Sequence, residues 1–187
     1  MMIRKVDTDM FLLSISLYDD LDLEQLWIDF GSGKQRCILP IHLMVLDPLK
    51  RYGLRFSFAF TGCDQVSFFA LVTKATAWKV WSLFPAVNES LAKLTYSPTD
   101  DDIAKSMPSL EQFVVLLYHR TSNCVDVNSC SRELFCKGRA IDDIPLTQDA
   151  LHQHVRRAAY IGGYLWGMDG KLTLHPTKLT YLNYLRV

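Results

Sequence analysis

The stretch MFLLSISL (residues 10–17) decides how this 187-residue chain is read. It is a continuous apolar run of strand length, the pattern of a β-strand buried on both faces. Asp19, Asp20, Asp22 and Glu24 follow it as a polar loop. LWIDF (26–30) and RCIL (36–39) flank Gly31-Ser32-Gly33-Lys34, which predicts a hairpin with Lys34 exposed at its turn. Pro40 closes the second strand and opens a short helix through Leu46, which Pro48 stops. A parallel-type strand needs a neighbour on each side, and only one hairpin is available. The run at 10–17 is therefore expected to carry an uncovered edge, and the chain to begin in the middle of a fold.

From residue 54 onward the period is helical. Leu110, Phe113, Val114 and Leu117 recur at three and four residues within SLEQFVVLLYHR, with Ser109 as N-cap and Gln112 completing a capping box. Leu151, Val155, Ala158, Gly162 and Leu165 form a similar stripe behind a Thr147 cap. Gly162-Gly163 inside that stripe implies close packing, since each glycine weakens a helix by about 1 kcal/mol. Further helices are expected at 74–84, 86–94, 99–106 and 127–137. The expected class is α/β: a sheet region over 1–60, a helical region over 61–168, and a loosely attached tail over 169–187.

Composition fits a single packed domain. Hydrophobic residues make up 49% and charged residues 21%, which excludes general disorder. The longest uncharged stretch, 158–168, is about half of what a membrane-spanning helix needs, and Asp7 and Asp9 break any leader-like apolar run. No membrane partner is expected. Five cysteines without a CxxC pair read as reduced thiols of an intracellular protein, nuclear or cytoplasmic. The net charge of zero is made of blocks: acidic over 1–30, basic over 31–82, acidic over 83–118 and basic thereafter. An acidic start before a basic segment suits a cation site beside a polyanion-binding surface, and equally suits ordinary surface charge.

Two acidic motifs stand out. Asp7-Thr8-Asp9 directly precedes the run at 10–17. On a strand, residues two apart project from the same side, and two carboxylates so placed suit Mg²⁺ or Mn²⁺. Thr61-Gly62-Cys63-Asp64 follows an aromatic run carrying Phe56, Phe58 and Phe60. An aspartate emerging there is either metal-bound or the N-cap of the next helix.

Asp-x-Asp before an apolar strand, then Gly-Cys-Asp and a lysine-bearing helix, resembles the C-terminal half of the flap-endonuclease-like, PIN-like nucleases. AFTGCD (59–64), TAWKVW (76–81), FVVLLYHRTS (113–122) and RAAYIGGYLWG (157–167) are similar in wording to a group of uncharacterised animal proteins related to that superfamily. The resemblance implies an incomplete PIN-like sheet remnant, a buried strand plus hairpin, with a degenerate helix-hairpin-helix-like segment opening the helical region. It implies Mg²⁺- or Mn²⁺-dependent hydrolysis of structured DNA or RNA, in which clustered carboxylates hold cations that activate water. Asp7, Asp9 and Asp64 match three catalytic, metal-binding positions, and Lys74 and Lys79 match nucleic-acid contacts. The superfamily's other acids come from segments N-terminal to Asp7. Two glycine places of its phosphate-approaching hairpin read Leu71 and Thr73. The expectation is a truncated or degenerate nuclease-like protein with a weak, partial metal site and little or no phosphodiesterase activity. The alternative is a non-catalytic protein- or nucleic-acid-interaction module. A partner chain or an N-terminal segment completing the sheet is expected in either case.

Other constellations read as structure. Cys124, Cys130 and Cys136 lie six apart, a spacing that cannot bring three sulfurs to one metal on a helix. His152 and His154 read as surface histidines, Trp78 and Trp81 as core or a base-stacking platform, and Arg156-Arg157 as a solvated helix face or phosphate contacts.

Overall fold

Residues 10–17 form a helix, not the strand their apolar run predicts: α1 spans Thr8–Leu17. A computed structural model describes residues 1–5, 8–44 and 46–166, except the side chains of Lys5, Thr8, Asp9, Asp20, Tyr164 and Leu165. Strand β1 (Met2–Lys5) lies parallel to β2 (Trp27–Phe30), in register Met2 with Trp27 through Lys5 with Phe30. A parallel pair needs a crossover of about a dozen residues, normally a helix, and α1 supplies it. An apolar run of this length is compatible with a buried strand or a buried helix, so periodicity alone could not decide. Met10, Leu13, Ile15 and Leu17 are buried. The interleaved serines are buried too, and each satisfies itself locally: Ser14 Oγ donates to the Met10 carbonyl at 2.7 Å and Ser16 Oγ to that of Leu13 at 3.2 Å.

The hairpin is where the sequence put it. β2 pairs antiparallel with β3 (Cys37–Pro40), and Lys34 is exposed in the connecting turn. Ile3 and Ile28 face the core from one side of the sheet. On the other side Asp29 receives both Arg36 nitrogens at 2.7 Å, a bidentate pair that holds its carboxyl below the usual range.

Past β3, a single 3₁₀ turn at Ile41–Leu43 stands where a helix through Leu46 was expected. Pro48 starts a helix instead of stopping one. It is the first residue of α2 (Pro48–Phe60), behind an Asp47 cap that accepts from the Lys50 amide at 3.2 Å. At that position the missing N–H has no partner to lose. The remaining helices are α3 (Lys74–Leu83), α4 (Asn88–Lys93), α5 (Asp100–Tyr118), α6 (Val127–Cys136) and α7 (Gln148–Ala159), the last continuing into a π-helical turn, Tyr160–Leu165.

Helix α5 merges two expected helices. Its cap is Thr99, which exchanges hydrogen bonds with Asp102, and it runs through Pro108. Ser109 is therefore no cap; its hydroxyl donates to the Ser106 carbonyl and meets Ser90 Oγ at 2.6 Å. Buried Glu111 ties the next two helices to α5, accepting from the Val127 amide at 3.3 Å and from Gln148 Nε2 at 2.7 Å. Thr147 caps α7 as expected.

One hydrophobic cluster runs through both the 1–60 and 61–168 segments, and α2 is its centre. Phe56 and Phe60 are fully buried, contributing about 1.5–3 kcal/mol each. The Gly162-Gly163 pair allows the π turn to lie on this helix. A Cβ at Gly162 would stand 2.9 Å from the Arg55 carbonyl oxygen and 2.9 Å from Phe56 Cα, and one at Gly163 would stand 2.8 Å from the Leu94 carbonyl oxygen. The expected close approach is present. The tail expected over 169–187 lies outside the described residues.

Because the neighbours of Gly162 are backbone and cannot swing aside, Gly162→Ala should lower unfolding stability by about 1–3 kcal/mol in a urea titration. Gly33→Ala, with nothing within 4 Å, should show only the smaller effect of its positive φ.

Candidate functional site

The Gly-Cys-Asp motif forms a tight turn at the C-terminal end of α2. Cys63 and Val66 exchange backbone hydrogen bonds of 2.9 and 3.1 Å, leaving Asp64 and Gln65 exposed at the tip. Gly62 has φ +104°, and a Cβ there would collide with Phe68 at 2.5 Å. Asp64 is not a helix cap, because α3 is capped by Thr73, whose hydroxyl accepts from the Thr76 amide at 3.1 Å. Being exposed, Asp64 needs neither a metal nor a cap to offset burial.

Asp7 lies outside the described residues, as does the side chain of Asp9. Asp9 sits in the first turn of α1, where the end of a strand was expected. Among the described residues no three His, Cys, Asp or Glu side chains form a group able to hold a metal ion. The expected Mg²⁺ or Mn²⁺ site at Asp7, Asp9 and Asp64 lies in part outside the described residues.

Lys74 is turned inward. Its Nζ donates to the Phe58 carbonyl at 2.5 Å, to Thr61 Oγ1 at 3.0 Å and to the Gly62 carbonyl, and lies 3.6 Å from the centre of the Phe58 ring. It holds the Phe58 carbonyl in the last turn of α2 and the Gly62 carbonyl just past its end, where the helix dipole favours a cation. Lys79 is exposed on α3.

His154, expected at the surface, is buried at the same helix end. Its Nε2 lies 2.7 Å from the Phe60 carbonyl oxygen, so that nitrogen carries the proton, and Nδ1 lies 3.5 Å from Ser67 Oγ. The rings of Phe60 and Phe69 enclose it. Burial depresses its pKa, and the Arg157 cation adds to the effect.

Of the two places where the resemblance expects glycine, Thr73 has an ordinary extended φ of −85° as the α3 cap. Leu71 sits at φ +60°, in the left-handed region that glycine tolerates and leucine resists. Leu71 is 74% exposed and Phe68, on the same loop, 76%.

Arg156 and Arg157 are exposed, as a solvated face or phosphate contacts would both require; Arg156 borders two adjoining hollows and Arg157 one of them. One, of about 260 Å³, is bounded by Gln65, Gln153, Arg156, Arg157, Tyr160 and Ile161. The other, also about 260 Å³, is bounded by Pro98, Asp100, Ile103, Arg156, Ala159 and Tyr160. Arg156 pairs with Asp100 at 3.0 Å. The consecutive arginines were the only sequence signal. Gln65 joins them solely because the Gly-Cys-Asp turn lies against α7.

The remaining constellations are structural. Trp81 is buried, its Nε1 donating to Asn88 Oδ1 at 2.6 Å, and Trp78 meets it edge-on with 38% of its surface exposed. Cys124 donates to Glu133 at 3.1 Å, and burial pushes the Cys130 thiol up to about 11. Among the described residues no helix is long and apolar enough to cross a membrane. No protein family, curated protein or solved structure matches the chain.

Two outcomes follow. Leu71→Gly should be at least as stable as the parent and Leu71→Val less stable by about 1 kcal/mol in thermal unfolding, because the β-branch deepens the strain. His154, with its pKa lowered on folding, stabilises the protein fully above about pH 6.5, its unfolded value. That contribution should fall away as pH drops below this value toward the folded pKa, and His154→Gln should flatten this part of the stability-against-pH curve.

Proposed function

We propose that this chain is a nuclease-like, non-catalytic nucleic-acid-interaction module, binding DNA or RNA through the Arg156–Arg157 face. The observation that carries this reading is the hollow whose lining includes Arg156, Arg157, Gln65 and Gln153 beside an exposed tyrosine. Guanidinium forks match phosphate geometry, and carboxamides offer a donor and an acceptor to a base edge. Arg157 makes no ion pair among the described residues and stands exposed.

The resemblance to PIN-like nucleases supports the partner class more than the reaction. Lys74, its expected phosphate contact, is occupied at the end of α2, and the carboxylate-bearing strand is a helix. No hydrolytic step is assigned to the chain.

Fluorescence anisotropy with a labelled oligonucleotide tests the reading. Binding should weaken with salt, and each of Arg156→Ala and Arg157→Ala should reduce the slope of log K against log salt by about 0.7–0.9, one phosphate contact apiece. Incubation with Mn²⁺ should leave the strand intact. Scission abolished by Asp64→Asn would establish the catalytic reading in its place.

A further inference from the structure

We infer that His154 is an acid-sensitive latch, whose protonation frees residues 67–72 from the end of α2 while the surrounding helices stay folded. The imidazole is 1% exposed, and both of its nitrogens are engaged. Nε2 donates to the Phe60 carbonyl at 2.7 Å, which leaves the Nδ1 lone pair facing Ser67 Oγ at 3.5 Å. The Phe60 and Phe69 rings lie against it, their centres 5.4 and 4.8 Å away. Such a setting suits a neutral ring. A proton on Nδ1 makes that atom a donor, so the Ser67 hydroxyl can no longer donate to it, and a charge stands where water is excluded.

The groups around the ring do not offset that charge. From α2 the Phe60 carbonyl favours it, but burial outweighs this, and the Arg157 cation of α7 opposes it further. From α3 the Lys74 ammonium reaches the same helix end, where it holds the Phe58 and Gly62 carbonyls. From α5 comes the Phe113 ring, stacked on Phe60. The acid nearest in the chain, Asp64, is exposed at the tip of the Gly-Cys-Asp turn. Tyr118 of α5 meets the Ala70 backbone, and burial keeps its hydroxyl protonated far above the range in which histidine titrates. Among the described residues no carboxylate pairs with His154.

The segment that gives way is the one hung on the imidazole. Residues 67–72 belong to no helix or strand, and within them the Val72 amide donates to the Phe69 carbonyl at 3.1 Å. Ser67 and Phe69 anchor the segment on His154, and the Phe69 ring also meets Phe60 edge-on at 5.1 Å. Leu71, at φ +60°, holds a conformation that its surroundings must impose, so release relieves it. Phe68 and Leu71 already face solvent, which leaves Phe69 as the buried ring that opening uncovers. Local openings are drawn from segments of this kind, with few backbone bonds of their own.

Amide hydrogen exchange of the full chain, corrected for the intrinsic rate at each pH, provides the test. An imidazole that titrates near 6.5 when released and well below that when held should cost residues 67–72 about tenfold in protection between about pH 7.5 and 5.5. Amides around Phe113 in α5 should keep their protection over the same range. His154→Gln retains a donor for the Phe60 carbonyl and takes up no proton, so its loop should exchange independently of pH. A flat profile in the parent overturns the latch, as does a pH-dependent loss that persists in His154→Gln. Equal loss in α5 overturns it too, because the opening is then global. Should His154→Gln leave the loop unprotected at every pH, the imidazole titration of the parent, followed by NMR, decides: a ring that titrates at or above about 6.5 gains nothing from release and overturns the latch, and one that titrates below it in step with the loss of protection supports it.

Discussion

Helix α2 ends inside the protein, and the rest of the structure depends on how that end is satisfied. The last carbonyls of any α-helix lack partners within the helix, and leaving them dry is costly. Here Lys74 takes that of Phe58 and His154 that of Phe60, and Lys74 also holds the Gly62 carbonyl just past the helix end. The two side chains come from α3 and α7, so closing one helix end fixes two others around it. Ser67 and Phe69, which contact His154, then hold the loop that follows the Gly-Cys-Asp turn. The turn reaches α7 as a result, and Gln65 arrives beside Arg156 and Arg157.

The same constraint explains where the positive charge went. The basic block over 31–82 looks in sequence like a surface for polyanions, yet much of it is committed internally. Arg36 pairs with Asp29, Arg51 with Asp19, and Arg55 is buried, donating to the Trp166 carbonyl at 3.0 Å and lying 4.8 Å over the Tyr96 ring. Acids of the 1–30 block thus offset bases of the next block. On α7 the charge stays at the surface: Arg157 is exposed, and Arg156 pairs with the exposed Asp100 carboxylate.

The strain at Leu71 belongs to this arrangement as well. Ser67 and Phe69 fix one side of the loop on His154, and the Thr73 cap fixes the other, so the intervening turn has little freedom. A leucine is carried through the left-handed region, and both Phe68 and Leu71 point to solvent. Non-glycine residues hold such conformations only where their surroundings over-determine them.

Local chemistry let the sequence alone determine a good deal. Turn residues and alternating apolar positions gave the hairpin of β2 and β3. The Thr147 cap and three- and four-residue spacing gave α7, helices were expected where α3, α4 and α6 lie, and a glycine pair announced the close contact with α2. Each of these signals acts over a few residues. What only the tertiary structure decided depends on partners far along the chain. Residues 10–17 are a helix because β1 must cross over to meet β2, although either conformation would bury them. Pro48 starts a helix and Pro108 sits within one because neighbouring packing overrides a residue's local preference. Lys74 and His154 are interior groups, and Arg156, Arg157, Tyr160 and Gln65 share a hollow, because two chain segments about 90 residues apart fold onto one helix end. Spacing in sequence carries no record of that proximity.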